Sequence, residues 1–183
     1  MAGRRRRKKR AGRVVLTWVL FILVILAGCV LAVRITGSVA LITDRSMEPS
    51  LAKGDSVLIS SLGYLVRSPA RGDIIQFRTQ ESDGSLIRRI VGMPGETVQI
   101  RDGKVYVNGA PLDESSYAEG SIGYSGAASV PVTLQEEEYF VMADSRTNNF
   151  DSRDTTIGNI RREDITGRAW LRIGPSERVG LVK

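Results

Sequence analysis

The segment Val105-Tyr106-Val107-Asn108-Gly109 sets the structural class of this 183-residue chain. Alternating β-branched and aromatic residues that end in Asn-Gly are the strongest short-range signal for a two-residue β-hairpin. On both sides of this hairpin, other short runs of β-branched residues are bounded by Gly, Pro and Asp, which is typical of strands. These runs lie at residues 56–60, 73–78, 97–101, 139–142 and 166–173. No segment after residue 36 has a helical period, so the sequence predicts a mainly β domain over residues 35–183.

One long segment inside this domain is polar. Residues 112–136 are rich in Ser, Gly and Glu. Structureless segments of this length are uncommon inside compact domains unless they are insertions or functional loops. We therefore interpret residues 112–136 as a surface insertion or loop.

A hydrophobic segment precedes the β domain. Residues 14–33 are almost wholly apolar, and a helix of 20 residues spans roughly 30 Å, the thickness of a hydrocarbon core. Seven consecutive basic residues at 4–10 lie just before it, and such residues favour the cytoplasmic side. The sequence therefore predicts a basic cytoplasmic arm (1–13), a single transmembrane helix (14–33) and an extracytoplasmic domain (35–183). Membrane lipid is accordingly a predicted partner.

The same hydrophobic segment has a second interpretation. A cleaved signal peptide would have a shorter apolar stretch. However, Leu26-Ala27-Gly28-Cys29 resembles a bacterial lipoprotein processing site, in which Cys29 would carry the lipid. The residues after Cys29 continue apolar, where a lipoprotein normally turns polar. The transmembrane anchor is therefore the main prediction, a lipid anchor at Cys29 is the alternative, and both tether the domain outside the cell membrane.

Charge is distributed unevenly along the chain. The net charge is +6, but the first 34 residues carry nine Lys or Arg and no acid, which leaves 17 basic against 20 acidic residues in the rest. The basic excess lies beside the apolar segment, where it is a topology signal and not a nucleic-acid-binding face. We therefore predict no nucleic-acid partner.

Two residue types that often carry catalysis or bind metals are scarce. The chain has no histidine and one cysteine, Cys29. This composition excludes a Ser-His-Asp triad, a Cys-His pair, an internal disulfide and the usual zinc sites. We therefore predict no metal and no cofactor.

Four segments, in order after the hydrophobic stretch, resemble the sequence boxes of the bacterial type I signal peptidases. They are Ser46-Met47-Glu48-Pro49-Ser50-Leu51, Arg71-Gly72-Asp73-Ile74-Ile75-Gln76-Phe77, Arg88-Arg89-Ile90-Val91-Gly92-Met93-Pro94-Gly95-Glu96, and Ala143-Asp144-Ser145-Arg146 with Asn149-Phe150-Asp151-Ser152-Arg153. One such segment alone has little specificity. All four together extend across most of the region from residue 40 to residue 170, and by this resemblance the chain is identified as a member of the family.

The resemblance implies a fold, a substrate and a reaction. The fold would be coiled antiparallel sheets with a groove in which a signal peptide adds as an extra strand. Strands at residues 41–45 and 85–88 would form the groove walls. The residues assigned to the substrate groove are Ile42, Asp44, Arg45 and Met47. Ser46 would be the nucleophile that attacks the bond between an exported preprotein and its leader.

The sequence departs from the family at the position of the general base. A buried lysine takes the serine proton in such enzymes, and that position here holds Arg88. A guanidinium donates hydrogen bonds but accepts none. To be neutral near pH 7 its pKa would have to fall by about six pH units, a cost of roughly 8 kcal/mol. The resemblance therefore implies a Ser46 site whose catalysis is impaired.

Two further positions depart from the family pattern. Asn149 lies where the family usually has a serine that orients the lysine. Asp44 lies where the family places Ser or Gly near the oxyanion hole, and a carboxylate there would oppose a developing negative charge. We expect Asp44 to pair with Arg88, which would explain two departures with one interaction. The residues predicted to support the site are Asp144, Asn149, Asp151, Ser152 and Arg153.

Two functions from different classes follow. The first is a signal peptidase I-type serine endopeptidase acting on the leader segments of exported preproteins, with activity limited by the missing lysine. The second is a non-cleaving, peptidase-like assembly factor or chaperone for surface proteins of the pilin type. Both need the peptide groove, so the sequence predicts a groove under either function and leaves open whether the chain is an enzyme.

Overall fold

The computed structural model of this protein describes residues 15–30, 37–65, 67–79, 84–148 and 150–182. The chain divides into two units, Met1–Thr36 and Gly37–Lys183. In the first unit, residues 15–30 form a helix whose side chains are all exposed, Cys29 among them. The predicted anchor begins and ends outside the described residues, and the predicted basic arm lies wholly outside them. Among the described residues, no helix has both the length and the apolar character needed to cross a membrane.

The second unit is built on an eight-stranded antiparallel sheet. Its strands are β1 (Gly37–Leu41), β2 (Ser56–Ser60), β3 (Ile74–Arg78), β4 (Ser85–Gly92), β9 (Glu138–Met142), β10 (Ile160–Arg161), β11 (Ile165–Gly174) and β12 (Gly180–Leu181). The order across the sheet is β1, β2, β11, β3, β4, β9, β10, with β12 paired to β11. Because β11 lies between β2 and β3, a late part of the chain joins β2 to the strand that carries most of the second motif segment.

A smaller antiparallel sheet contains the predicted hairpin. Its strands are β5 (Thr97–Arg101), β6 (Lys104–Val107), β7 (Ala110–Pro111) and β8 (Val132–Thr133), in the order β7, β6, β5, β8. Asn108 and Gly109 connect β6 to β7 with φ angles of 52° and 80°. Positive φ at both central residues is what a type I′ hairpin turn requires. The hairpin and the mainly β class are therefore confirmed.

Most of the predicted strands are confirmed. The runs at 56–60 and 97–101 coincide with β2 and β5, and the other three runs match β3, β9 and β11 to within one residue at each end. The strand expected over residues 41–45 is wrong beyond Leu41. The chain turns there because Asp44 accepts a hydrogen bond from the amide of Ser46.

Residues 112–136 are only partly the expected surface loop. They contain a short 3-10 turn at Gly126–Ser129 and strand β8. Three of their apolar residues, Ile122, Ala128 and Leu134, are buried in a core cluster with residues of the small sheet. A few apolar side chains among many polar ones thus pack this segment against the small sheet.

A second core cluster positions the first motif segment. It consists of Ile42, Met47, Leu51, Val57, Ile59, Ile74, Ala169 and Val182. Met47 is 1% exposed and Leu51 is fully buried. Burial of one such side chain contributes about 1.5–3 kcal/mol. These two residues therefore hold the turn that carries Ser46 against the large sheet.

Candidate active site

Ser46 lies in the turn that follows β1. Ser46 is only 3% exposed. The backbone of this turn is fixed by a hydrogen bond of 2.7 Å from the Leu51 amide to the Met47 carbonyl. The Ser46 carbonyl accepts a 2.9 Å hydrogen bond from the amide of Ser145, in the last motif segment. Ser46 is therefore held by both its own turn and a segment about 100 residues away.

Arg88 lies on β4 and reaches Ser46 directly. Its Nη1 donates to Ser46 Oγ at 2.9 Å and to the Ile87 carbonyl at 2.6 Å, and its Nε donates to the Phe150 carbonyl at 2.9 Å. The residue is 3% exposed. Burial lowers the pKa of the guanidinium below its ordinary value, but the charges of Asp151 and Asp44 oppose that change. Arg88, which the resemblance predicts to stand at the family's base position, is thus a buried cation that donates to Ser46 Oγ.

Asp44 holds the other side of the Ser46 hydroxyl. Its Oδ1 accepts hydrogen bonds from Ser46 Oγ at 2.6 Å and from the Ser46 amide at 2.8 Å. Burial works to raise the pKa of this carboxyl group. The two hydrogen bonds from Ser46, together with the charges of Arg88 and Lys53, nevertheless hold that pKa below its ordinary value. Asp44 is therefore a carboxylate at neutral pH.

Asp44 and Arg88 do not form the expected direct pair but are connected through the Ser46 hydroxyl. Within the described part of the chain, no ion pair of 4.0 Å or less joins the two side chains. Instead the Ser46 hydroxyl accepts from Arg88 and donates to Asp44. The reason is local, since a carboxylate two residues before a serine in a turn bonds to that serine's own amide and hydroxyl.

Arg89, next to Arg88 on β4, ties the motif segments together. Its Nε and Nη2 form a bidentate pair with Asp144 at 2.8 and 2.7 Å. Its Nη1 donates to the Gly72 carbonyl at 2.7 Å, and its Nη2 also donates to Ser50 Oγ at 2.9 Å. The Tyr117 ring centroid lies 4.4 Å from the Arg89 guanidinium carbon. One buried side chain therefore joins all four segments that carry the family resemblance.

Asp151 and Arg153 form a second buried ion pair behind the site. Arg153 Nη2 lies 2.7 Å from Asp151 Oδ2, and both side chains are fully buried. Ser152, between them, accepts a 3.0 Å hydrogen bond through its Oγ from the amide of Val141 in β9. The structure thus places Asp144, Asp151, Ser152 and Arg153 in buried networks, whereas Asn149 lies outside the described residues.

A groove runs past Ser46. It has a volume of about 100 Å³ and is lined by residues 41–44 on one side and 85–88 on the other, together with Ser46 and Met47. Among the residues predicted for the groove, Ile42, Asp44 and Met47 line it. Arg45 does not; it is exposed and lies 3.8 Å from Glu48. A volume of this size holds about three water molecules, so it suits small side chains.

Within the described residues, no group of three or more His, Cys, Asp or Glu is arranged to hold a metal ion.

Sequence reasoning missed two features for which the sequence holds signals. On a strand, successive side chains point to opposite faces. The alternation alone therefore predicts that the adjacent residues Arg88 and Arg89 contact different partners, as they do at Ser46 and Asp144. The Asp-x-Ser spacing of Asp44 and Ser46 is likewise a local turn signal. In contrast, no local pattern indicates that the carbonyl of Phe150 accepts from Arg88.

Comparison with known proteins places this site in a family. The family model described as signal peptidase, peptidase S26, matches residues 15–173. A probable signal peptidase I-2 from Synechocystis sp. is 35% identical over 175 residues, which cover 91% of this chain and 78% of the relative. A signal peptidase I from Leptolyngbya laminosa is 36% identical over 147 residues, covering 76% of this chain and 70% of the relative. The crystal structure of a signal peptidase I from Enterococcus faecalis aligns with a TM-score of 0.47 at 28% identity, covering 56% of this chain and 97% of that one.

The chain therefore belongs to the signal peptidase family, peptidase S26. The match extends over most of its length and includes all four motif segments, so the family predicted from those segments is confirmed.

Proposed function

We propose that this protein binds the leader segments of exported preproteins in the Ser46 groove, and that Ser46-dependent cleavage is impaired. The observation that carries this proposal is the 2.9 Å hydrogen bond that Arg88 donates to Ser46 Oγ. To attack a peptide carbonyl, Ser46 Oγ must give its proton to a base. Arg88 has no lone pair with which to accept that proton. The group nearest the nucleophile on this side therefore cannot perform the step that the family assigns to its lysine.

Burial and the charge of Arg153 lower the pKa of Arg88, and three carboxylates work against that change. Burial favours the neutral form, but Asp151, Asp44 and Asp144 all favour the cation. Although burial lowers the pKa of Arg88, a guanidinium ordinarily titrates far above neutral pH, so losing the charge remains costly. Three carboxylates around a guanidinium are therefore consistent with a permanent donor, not a base.

The shape of the groove supports binding of an extended peptide. One wall, residues 85–88, is part of strand β4, and the other is residues 41–44, of which only Leu41 belongs to a strand. A peptide added between such walls gains main-chain hydrogen bonds, and its alternate side chains enter the pockets between them. The resemblance to type I signal peptidases also implies a preference for Ala-x-Ala before the cut, and the small volume favours Ala over large side chains at those positions.

We propose further that the β domain is tethered outside a cell membrane. The cytoplasmic arm (1–13), the anchor (14–33) and the extracytoplasmic domain (35–183) are predictions from charge and hydrophobicity, with a lipid at Cys29 as the alternative tether. Basic residues beside an apolar segment of membrane-spanning length support this topology.

An apolar row on the large sheet supports membrane lipid as a partner. Val39, Leu58, Leu171 and Leu181 pair with one another across four adjacent strands. The two outer members, Val39 and Leu181, are 60% and 69% exposed. Contiguous apolar surface of this kind marks protein or membrane contact sites.

The test measures binding and cleavage separately on the full-length, detergent-solubilised protein. Binding is followed by fluorescence anisotropy of a labelled leader peptide with Ala-x-Ala, beside the same peptide with Phe at both Ala positions. We expect the Ala peptide to bind at least tenfold more tightly, because the groove has no room for the larger rings. Cleavage of an Ala-x-Ala preprotein is followed by mass spectrometry, and we expect no product that Ser46→Ala removes.

Two variants and one further peptide complete the design. Ser115→Ala alters a serine in an exposed turn and serves as the control for Ser46→Ala. Cleavage by the wild type that Ser46→Ala abolishes and Ser115→Ala does not would refute the proposed impairment. Equal affinity for the Ala and Phe peptides would refute the groove. Binding of a pilin-type surface segment in preference to any leader would favour the alternative function, a non-cleaving assembly factor.

A further inference from the structure

Both polar hydrogens of Ser46 are directed at one carboxylate oxygen. Asp44 Oδ1 accepts the hydroxyl at 2.6 Å and the amide N–H at 2.8 Å. Asp44 and Ser46 both line the groove, so this carboxylate lies beside the serine that would attack a bound peptide. Arg88 donates to the same hydroxyl but makes neither of these two contacts, so the hold on the hydrogens of Ser46 is distinct from the missing base.

The arrangement is that of a structural turn, and the part of the chain that the structure describes contains it twice more. Asp113 accepts from the amide and hydroxyl of Ser115 at 3.1 and 2.7 Å. Asp154 accepts from the amide and hydroxyl of Thr156 at 2.9 Å each. Both of these turns are exposed, and there the carboxylate only closes the turn. At Asp44 the residue that donates both hydrogen bonds of the turn is Ser46, the predicted nucleophile.

The two hydrogens held by Asp44 are those that peptide hydrolysis needs. The hydroxyl must be free to give its proton to a base while its oxygen attacks. The backbone N–H of the nucleophile is a common donor to the oxyanion that then forms. Removal of one oxyanion donor lowers kcat by about 10²–10³. A carboxylate on that donor also places negative charge where negative charge would develop.

We propose that Asp44 is a built-in blocking group, so that the Ser46 site is disabled a second time, independently of Arg88. This inference rests on the proposed function, because it assumes that leader peptides reach the groove. It has a sharp consequence. Supplying the family's lysine by Arg88→Lys does not restore cleavage while Asp44 is present, and restoration needs both positions to change.

The opposite role for Asp44 makes the opposite prediction. A carboxylate 2.6 Å from a serine hydroxyl also has the geometry of a general base. If Asp44 took the Ser46 proton, its removal would lower the cleavage rate in every background. The blocking role predicts that its removal raises the rate.

The experiment measures cleavage of the Ala-x-Ala preprotein by full-length Arg88→Lys, Asp44→Ser and the double variant, each with and without Ser46→Ala. We expect the double variant to cleave at least about 100-fold faster than Arg88→Lys alone, corresponding to one recovered oxyanion donor. Arg88→Lys combined with Asp113→Ser, which opens the equivalent exposed turn, is the control and should cleave no faster than Arg88→Lys. A third variant, Asp44→Asn with Arg88→Lys, keeps the size of the side chain and should give an intermediate rate.

Three results would overturn the block: an Arg88→Lys rate within about threefold of the double variant, a rate that falls when Asp44 is replaced, or a silent double variant that still binds the leader peptide. A second measurement covers the case in which the double variant does not fold. Labelling of Ser46 by a fluorophosphonate in Asp44→Ser should be faster than in the wild type, and an equal or slower rate overturns the block.

Failure of the proposed function is recognised by different results. Loss of leader binding in all variants removes the groove hypothesis. Wild-type cleavage that Asp44→Ser accelerates would refute the impairment by Arg88 and still support the block.

Discussion

Replacing Asp151 by Asn is expected to destabilise the β domain by about 3–5 kcal/mol. The two oxygens of Asp151 accept from the Ala143 amide at 2.9 Å, the Arg153 amide at 3.0 Å, and Arg153 Nε and Nη2 at 2.9 and 2.7 Å. Asp151→Asn keeps the shape but leaves a fully buried guanidinium without its counter-charge. Breaking a buried pair by removing one partner typically costs about 3–5 kcal/mol. This is a large share of the roughly 5–15 kcal/mol that stabilises a typical domain.

The change is measured by urea unfolding of the full-length protein in detergent, followed by far-UV circular dichroism. With a slope of about 2 kcal/mol per molar urea, the midpoint should fall by roughly 1.5–2.5 M. Asp113→Asn removes a carboxylate from an exposed turn and should leave the midpoint unchanged. Adding Arg153→Met to Asp151→Asn should recover part of the loss, because the unpaired charge is gone. A midpoint lowered by less than about 0.5 M in Asp151→Asn would refute the reasoning.

Two other changes test the packing and the electrostatics of the same domain. An added Cβ at Gly92 would lie 2.5–2.9 Å from three core side chains, so Gly92→Ala should cost about 1–3 kcal/mol and lower the Tm by several degrees. The control is Gly63→Ala, whose Cβ would meet nothing within 4 Å and which should therefore leave the Tm unchanged. Equal Tm values for the two variants would contradict the packing argument. Burial works to raise the pKa of Asp73, but Arg67 and neighbouring donors hold it below its ordinary value. A carboxyl group whose pKa is lowered by folding stabilises the folded state above about pH 4, and this contribution is lost as the pH falls. The difference in unfolding free energy between wild type and Asp73→Asn should therefore shrink from pH 6 to pH 3 in urea titrations. A constant difference would contradict this prediction.

The fold class and the family were accessible from local sequence because their signals are short-range. The Asn108-Gly109 turn needs only two residues that tolerate positive φ, and the neighbouring strands need only runs of β-branched residues. The bounds of the five strands predicted from such runs were accordingly correct to within one residue at each end, whereas the strand expected over 41–45 was wrong beyond Leu41. The four motif segments identified the family because each is a contiguous run whose residues are read directly.

The contacts that define the site depend on tertiary structure. Arg88 meets Ser46 across 42 residues, and its Nε meets the Phe150 carbonyl across 62. Spacing along the chain does not specify such distances; sheet order and strand direction do. The expectation that Asp44 pairs with Arg88 had the right charges but the wrong geometry, because the carboxylate turns toward its own Ser46.

The chain's residue types alone determined that no imidazole takes part, and the family resemblance predicted that Arg88 stands at the family's base position. The three-dimensional arrangement decided what Arg88 contacts: it donates to Ser46 Oγ, while the Asp44 carboxylate accepts the hydroxyl and amide hydrogens of Ser46. It also decided that polar segment 112–136 contributes to the core and that Arg89 joins the four motifs. The physical reason is the same in each case: a side chain's partners are set by the surfaces that folding brings together, and those surfaces come from distant parts of the chain.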